Sequence, residues 1–403
     1  MQRLEGAVRT YAWGSRTALA EFRGAPVPSN HPEAELWLGA HPSEPSRLIG
    51  ATGDASLLDV LRADPDGQLG AGVVSGFGAR LPFLLKVLAA AEPLSLQAHP
   101  SLAQAKEGYA RENAAGIALD APSRNYRDDN HKPELVVALG PFEALAGFRD
   151  PRRTVALFEA VGVPGQYVDM LARQPDSSGL RALFTTWITL PAGALREVVD
   201  TVVAGCARYL HRDRTEFAPE AATIVELAQH YPGDPGVLGA LLLNRVSLAP
   251  GEGLYLNAGN LHAYLGGLAV EIMANSDNVL RGGLTPKHVD VPELLRVLDF
   301  EPVDLPVLRP HRSADGLCVY RTPTTEFALL CLDLDAVPRA LDVSGPHVVL
   351  CTAGSVTLRC GADELRLDRG AAAWVPASDP ELTVAAENGA AAQVYIGAVG
   401  SLV

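Results

Sequence analysis

The apolar pattern of this 403-residue chain changes period twice. Up to about residue 100 the apolar runs are short and broken by Gly and Pro, as in "EAELWLGAHPS", "LPFLLKVLAA" and "PLSLQAHPS". Between about 150 and 232 apolar residues recur at helical spacing, in "RRTVALFEAVG", "SGLRALFTTWITL" and "AGALREVVDTVVAGCARYL". Strand texture returns at "LLLNRVSLAPGEGLYLNAGNLHAYL" and dominates from about 300, in "HVVLCTAGSVTLRC" and "DELRLDRGAAAWVPA". A strand alternates its faces every residue and a helix does not, so each block suits one state and wastes its apolar face in the other. The pattern predicts a mainly β protein with an α insertion, its last part an antiparallel sandwich or jelly roll. The expected units are residues 1–150 with 233–300, a helical insertion over 151–232, and a C-terminal β unit over 301–403.

Two helices are expected outside the insertion. One spans 101–116, with Ser101 as N-cap and Gly116 at the exit. The other starts at "TPKHVDVPELLRVL", with Thr285 as cap, Pro286 in the first turn and Lys287 after it. The net charge of −14 argues against a nucleic-acid or anionic-membrane surface, so any anionic ligand needs a local basic pocket. Cys206, Cys318, Cys331, Cys351 and Cys360 form no CxxC pair and read as small buried hydrophobes of a reducing compartment. The start "MQRLEGAVRTYAWG" has no apolar leader core, and no apolar run approaches the roughly 18 residues of a membrane span. A cytoplasmic location is expected. Of 33 basic residues only Lys86, Lys106, Lys132 and Lys287 are lysines, so each deserves a look at its neighbours.

In "LSLQAHP", residues 94–100, Leu94, Leu96 and Ala98 share one strand face and Ser95, Gln97 and His99 the other. The second row must face water or a site. "NHKPE" adds His131 and Glu134, and "NLHAYLGGLAVEIM" adds His262 and Glu271. Each histidine alone is more often structural than functional. Together, two His, a carboxylate and an amide oxygen with room for water make the donor set of a catalytic zinc. "EIMANSDNVLRGGLTPKH" adds Asp277, Asn278, Arg281 and Lys287, and Arg with Lys suits a phosphate.

On these residues the chain resembles the type I mannose-6-phosphate isomerase family. "YAWG", "AELWLGAHP", "LPFLLKVL", "PLSLQAHP", "NHKPE" and "HAYLGGLAVEIMANSDNVLRGGLTPKHVDV" are similar to that family's blocks, in order, over roughly the first 300 residues. The resemblance implies a cupin-type double jelly roll plus a helical subdomain, and one Zn²⁺ per subunit. Its metal ligands would be Gln97, His99, Glu134 and His262. The minor departures, Ala98, Asn275 and Gly282, remove no polar group that the chemistry needs.

The implied reaction interconverts mannose 6-phosphate and fructose 6-phosphate through a cis-enediol(ate). It needs a proton carrier, a stabilised oxyanion and a phosphate clamp. Arg281 is expected to steady the enediolate, with Lys132 or Glu271 moving the proton and His131 assisting ring opening. Lys86, Lys287, Ser95 and Asp277 are the expected substrate contacts. The expected partner is a small sugar phosphate, with no nucleic acid, no membrane and a monomeric chain. Competing readings are a cupin-like sugar-phosphate sensor without turnover and a cupin Fe(II) dioxygenase. "GFGARLPFLLK" echoes a sugar nucleotidyltransferase signature but lacks the strand and doubly wound context such a signature requires.

Overall fold

A computed structural model describes residues 1–402 except 51–52, 213–214, 305–306, 314–315, 336 and 342. The architecture is mainly β, with a block of helices between two β units. The spine of the first unit is the 13-residue strand His262–Ala274. It pairs antiparallel with Phe83–Ala90, matching Glu271 to Lys86, and with Glu134–Ala138, matching Met273 to Glu134. Its first residue, His262, lies opposite Gln97 of the short strand Leu96–Ala98. Arg281 of Leu280–Gly283 lies opposite the same Gln97 from the other side. This strand thus gathers the segments of Lys86, Gln97 and Glu134, and Arg281 joins them through Gln97.

Strand alternation then decides which side faces the site. Phe83–Ala90 is buried along its whole length. Phe83, Leu85, Val87 and Ala89 pack, with Val270 and Ile272, onto Leu329, Val348, Leu350, Trp374 and Tyr395 of the second β unit. Leu84, Lys86 and Leu88 point the opposite way and line a cleft. The apolar face is held by sheet-on-sheet packing, and this frees the other face for polar groups.

The second unit stacks a nine-stranded sheet on a four-stranded one. Between them lies an apolar core that includes Val349, Val356, Leu358, Val384, Val394 and Ile396. Three strands from the first part of the chain join it: Gln2–Glu5 pairs with Ala372–Val375 on one side and with Arg47–Ile49 on the other, and Arg47–Ile49 pairs in turn with Ala55–Ser56. The β units are therefore not consecutive in sequence.

Helices fill the region from Pro151–Val161 to Ala218–His230, and the short Pro235–Ala240 follows. The first begins where Asp150 accepts hydrogen bonds from the N–H groups of Arg152 and Arg153 ahead of Pro151. It ends where Gly162 takes a left-handed conformation (φ 78°). Leu102–Ala114 starts at Ser101, as expected, through a reciprocal capping box with Gln104.

The helix expected at Thr285 is displaced. It spans Val291–Val297 and is capped by Asp290, which accepts from Glu293 N with Pro292 in the first turn. Asp290 followed by Pro and Glu is the stronger start signal, because a carboxylate caps better than a threonine hydroxyl and complements the helix dipole. Thr285 Oγ1 instead accepts the N–H of Lys287 in a local turn. Among the described residues no helix is long and apolar enough to cross a membrane.

Candidate active site

The cleft has a volume of about 570 Å³. His99, Glu134 and His262 are all at most 2% exposed, and one ligand atom from each lies within 4.8 Å of the others. His99 Nε2, His262 Nε2 and Glu134 Oε2 are buried without a hydrogen-bond partner. Each imidazole stands 3.4 Å from the carboxylate, too long for a good hydrogen bond. Leaving a buried acceptor unsatisfied costs about 1–3 kcal/mol, so three such atoms converging on one point demand a shared partner, and a cation satisfies all three.

The neighbouring bonds prepare the ligands. His99 Nδ1 donates to Asn278 O (2.7 Å) and His262 Nδ1 to Asn260 O (3.0 Å), which leaves both Nε2 lone pairs aimed inward. Burial, reinforced by the Lys132 charge and opposed by Glu134, pushes His99 down to about 4, so its ring is neutral at pH 7. Burial would raise Glu134, but the charge of Lys132 above all holds it well below the usual carboxylate range. Two imidazoles and a carboxylate converging in this way fit zinc. Gln97, the fourth expected ligand, lines the same cleft opposite His262.

A second polar layer lies beside the first. Lys86 is 5% exposed and sits 3.1 Å from Glu271 Oε2 and 3.8 Å from Glu35 Oε2, with the Trp37 ring 5.4 Å away. Burial would depress its pKa, but Glu35 and Glu271 more than reverse that, so the ammonium is locked on. Lys86, expected as a substrate contact, lines the cleft in this paired state. Glu271 also accepts from Tyr264 OH (2.8 Å), and burial raises its pKa against the opposing charge of Lys86. Lys132 Nζ stands 2.8 Å from Glu134 Oε1.

At the mouth lie Arg281, Lys287 and Arg127, none with a carboxylate partner among the described residues. Burial and the Arg127 charge lower Arg281, while burial, Arg281 and Arg127 lower Lys287. Three mutually repelling cations facing one cleft make an anion slot. Arg127 was not among the expected residues. Its loop is held by Asn278, whose Oδ1 accepts from Arg127 N (2.7 Å) and whose Nδ2 donates to Asp128 O (2.8 Å) and Asn130 O (2.9 Å). No local signal in "RNYRDDNHKPE" announces that long-range contact.

Ser95 and Asp277 also line the cleft. Asp277 pairs with His41 at 3.4 Å; burial would raise it, but the hydrogen bond and charge of His41 hold it below the usual range. The expectation for His131 is corrected. It does not line the cleft: its Nε2 pairs with Glu326 of the second β unit, because neighbouring residues of an extended chain point to opposite sides and Lys132 takes the inner one.

Fold and site together define a cupin-type protein with a buried two-histidine, one-carboxylate metal centre under an anion slot. Residues 1–151 match the family described as phosphomannose isomerase type I, catalytic domain. The chain is 41% identical over 398 residues to mannose-6-phosphate isomerase of Escherichia coli strain K12, covering 98% of this chain and 99% of that one. It is 32% identical over 434 residues to mannose-6-phosphate isomerase of Aspergillus fumigatus, covering 93% and 92%. It aligns with a crystal structure of mannose 6-phosphate isomerase bound with zinc and yttrium at a TM-score of 0.90 and 37% identity, over 99% of each chain. The chain belongs to the type I mannose-6-phosphate isomerase family.

Proposed function

We propose that the chain is a zinc-dependent aldose–ketose isomerase interconverting mannose 6-phosphate and fructose 6-phosphate, with Gln97, His99, Glu134 and His262 holding one zinc ion. The observation that carries this reading is the convergence of three unpartnered buried ligand atoms beside three cations that form no ion pair with a carboxylate among the described residues. Zinc supplies a redox-inert Lewis acid for the carbonyl and hydroxyl oxygens of the sugar. Lys287, with Arg127 beside it, holds the phosphate and fixes the sugar chain along the cleft, and Ser95 and Asp277 contact its hydroxyls. Arg281, half-buried and with no carboxylate partner among the described residues, steadies negative charge on the enediolate.

Glu271 and Lys132 are the groups that can carry a proton between C1 and C2. Glu271 is the better placed to gain and lose one, since burial already raises its pKa and Tyr264 and Lys86 orient both its oxygens. Lys132 is committed to Glu134 by its short contact and acts on the ligand's charge. The catalytic unit is drawn from 1–150 with 233–300, apart from Gln2–Glu5, Arg47–Ile49 and Ala55–Ser56, which join the sheet of the supporting unit formed by 301–403; 151–232 is the helical insertion. The net charge of −14 suits a protein that binds no nucleic acid, and among the described residues no helix is long and apolar enough to cross a membrane.

Incubating zinc-loaded protein with mannose 6-phosphate in D₂O tests this. Fructose 6-phosphate should form, with deuterium at C1 wherever the shuttled proton exchanges. No product from folded, zinc-loaded protein would reject the isomerase reading.

A further inference from the structure

We propose that Asp234, at the end of the helical insertion, is a positioning residue that sets Lys287 in the anion slot; the inference rests on that slot being the phosphate site. The sheet ladder that carries Arg281 ends at Gly283, opposite Leu96. Past that point the N–H groups of Leu284 and Thr285 have one carboxylate to donate to. Asp234 Oδ1 accepts from Leu284 N at 2.7 Å, and Oδ2 is 3.3 Å from Thr285 N. The same Oδ1 accepts from Gly236 N (2.7 Å), capping Pro235–Ala240. Thr285 Oγ1 then accepts from Lys287 N (3.1 Å). The chain leading to Lys287 therefore hangs from the insertion.

Two backbone observations show that this path is enforced. Leu284 is held at φ 55°, a left-handed conformation unfavourable for leucine, and persists there because its surroundings determine it. Gly236 and Gly283 meet backbone to backbone: a Cβ on Gly283 (φ 122°) would lie 2.6 Å from Gly236 Cα, and one on Gly236 would lie 2.6 Å from Leu284 N. The insertion reaches the cleft at a second point as well, where Tyr231 lines it and donates its hydroxyl to Pro93 O (2.7 Å). The helices thus shape the rim of a site whose metal ligands they do not supply.

The test is a double-mutant cycle. KM and kcat for mannose 6-phosphate, inhibition by inorganic phosphate and zinc content are measured for wild type, Asp234→Ala, Lys287→Ala and the double variant. Asp234→Ala should raise KM and the phosphate inhibition constant about tenfold, as expected for lost charge-assisted hydrogen bonds, with kcat and zinc content little changed. It should add nothing further in the Lys287→Ala background. Asp234→Asn, which keeps an acceptor oxygen, should restore most of the affinity. Thr285→Ala cuts the Thr285–Lys287 link without touching the helix cap, so it should raise KM several-fold, again only when Lys287 is present. Additive effects, or a joint fall of kcat and zinc content with KM, would overturn the inference. A Lys287→Ala protein with normal KM would instead refute the slot assignment on which it rests.

Discussion

The two β units use the same strand alternation to opposite ends. Inside the first, Glu35, Lys86, His99, Lys132, Glu134, His262 and Glu271 are all buried. Inside the second, the space between its sheets is filled by Val349, Cys351, Val356, Leu358, Val384, Val394 and Ile396. Buried ionisable groups are expensive, and the first unit tolerates them by pairing them in layers and by leaving three acceptors for a metal. It also leans on the second unit. The far face of Phe83–Ala90 is packed against Leu350, Trp374 and Tyr395, so stability is supplied where there is no chemistry. One unit is a support, and the other holds the site.

Glu134→Gln attacks the site and should have the largest effect. Zinc occupancy should collapse and turnover should fall about a thousandfold or more, with the circular dichroism spectrum intact, since the Lewis acid supplies several kcal/mol of transition-state stabilisation. Leu358→Ala attacks the support. It should lower unfolding free energy by about 2–5 kcal/mol in urea titration while zinc content and kcat of the folded protein stay at wild-type values. A loss of kcat in that variant would break the division between the units. Gln97→Leu sharpens the comparison at the edge of the metal cluster: zinc affinity and rate should each drop about 10–100-fold with the fold retained, and full activity with full zinc would remove Gln97 from the ligand set.

The smallest effect is on pH stability of the metal-free protein. His99 is held down to about 4, below its unfolded value near 6.5. Between those values the unfolded chain binds a proton that the folded chain refuses, so folding stability falls as pH drops from 6.5 towards 4, by at most about 1.4 kcal/mol per unit. Above 6.5 both states are neutral and the dependence vanishes. Glu134, held low, loses its contribution only nearer its own unfolded range, below that of His99. Urea midpoints of chelated protein at pH 7, 6 and 5 check this, and a flat profile that His99→Gln leaves unaltered would contradict a neutral buried His99.

The sequence was informative wherever the structural cause was local or periodic. Alternation in "LSLQAHP" put Gln97 and His99 on the polar side, and the Ser101 cap marked its helix. Periodicity likewise separated the helical block from the strands. What escaped depends on contacts between distant segments. Arg127 enters the cleft because Asn278 holds its loop, and Lys86 is neutralised by Glu35, a residue some fifty positions away. Gln2–Glu5 joins the sheet of the second unit although it opens the chain. His131 failed for a nearer reason: it belongs to the same short motif as Lys132 and Glu134, but alternation turns it outward to Glu326. Thr285 lost its helix to Asp290, and its own N–H lies against Asp234 instead.

The central claim is that the three unpartnered atoms hold the metal on which isomerisation depends. It is tested most directly by following fructose 6-phosphate formation from mannose 6-phosphate with the purified protein, then after chelation, then after zinc is returned. Turnover that disappears with the chelator and returns with one equivalent of zinc is the predicted result. Turnover unaffected by complete removal of metal, or none from folded zinc-loaded protein, would contradict it, and the second outcome would leave a sugar-phosphate binding protein as the better description.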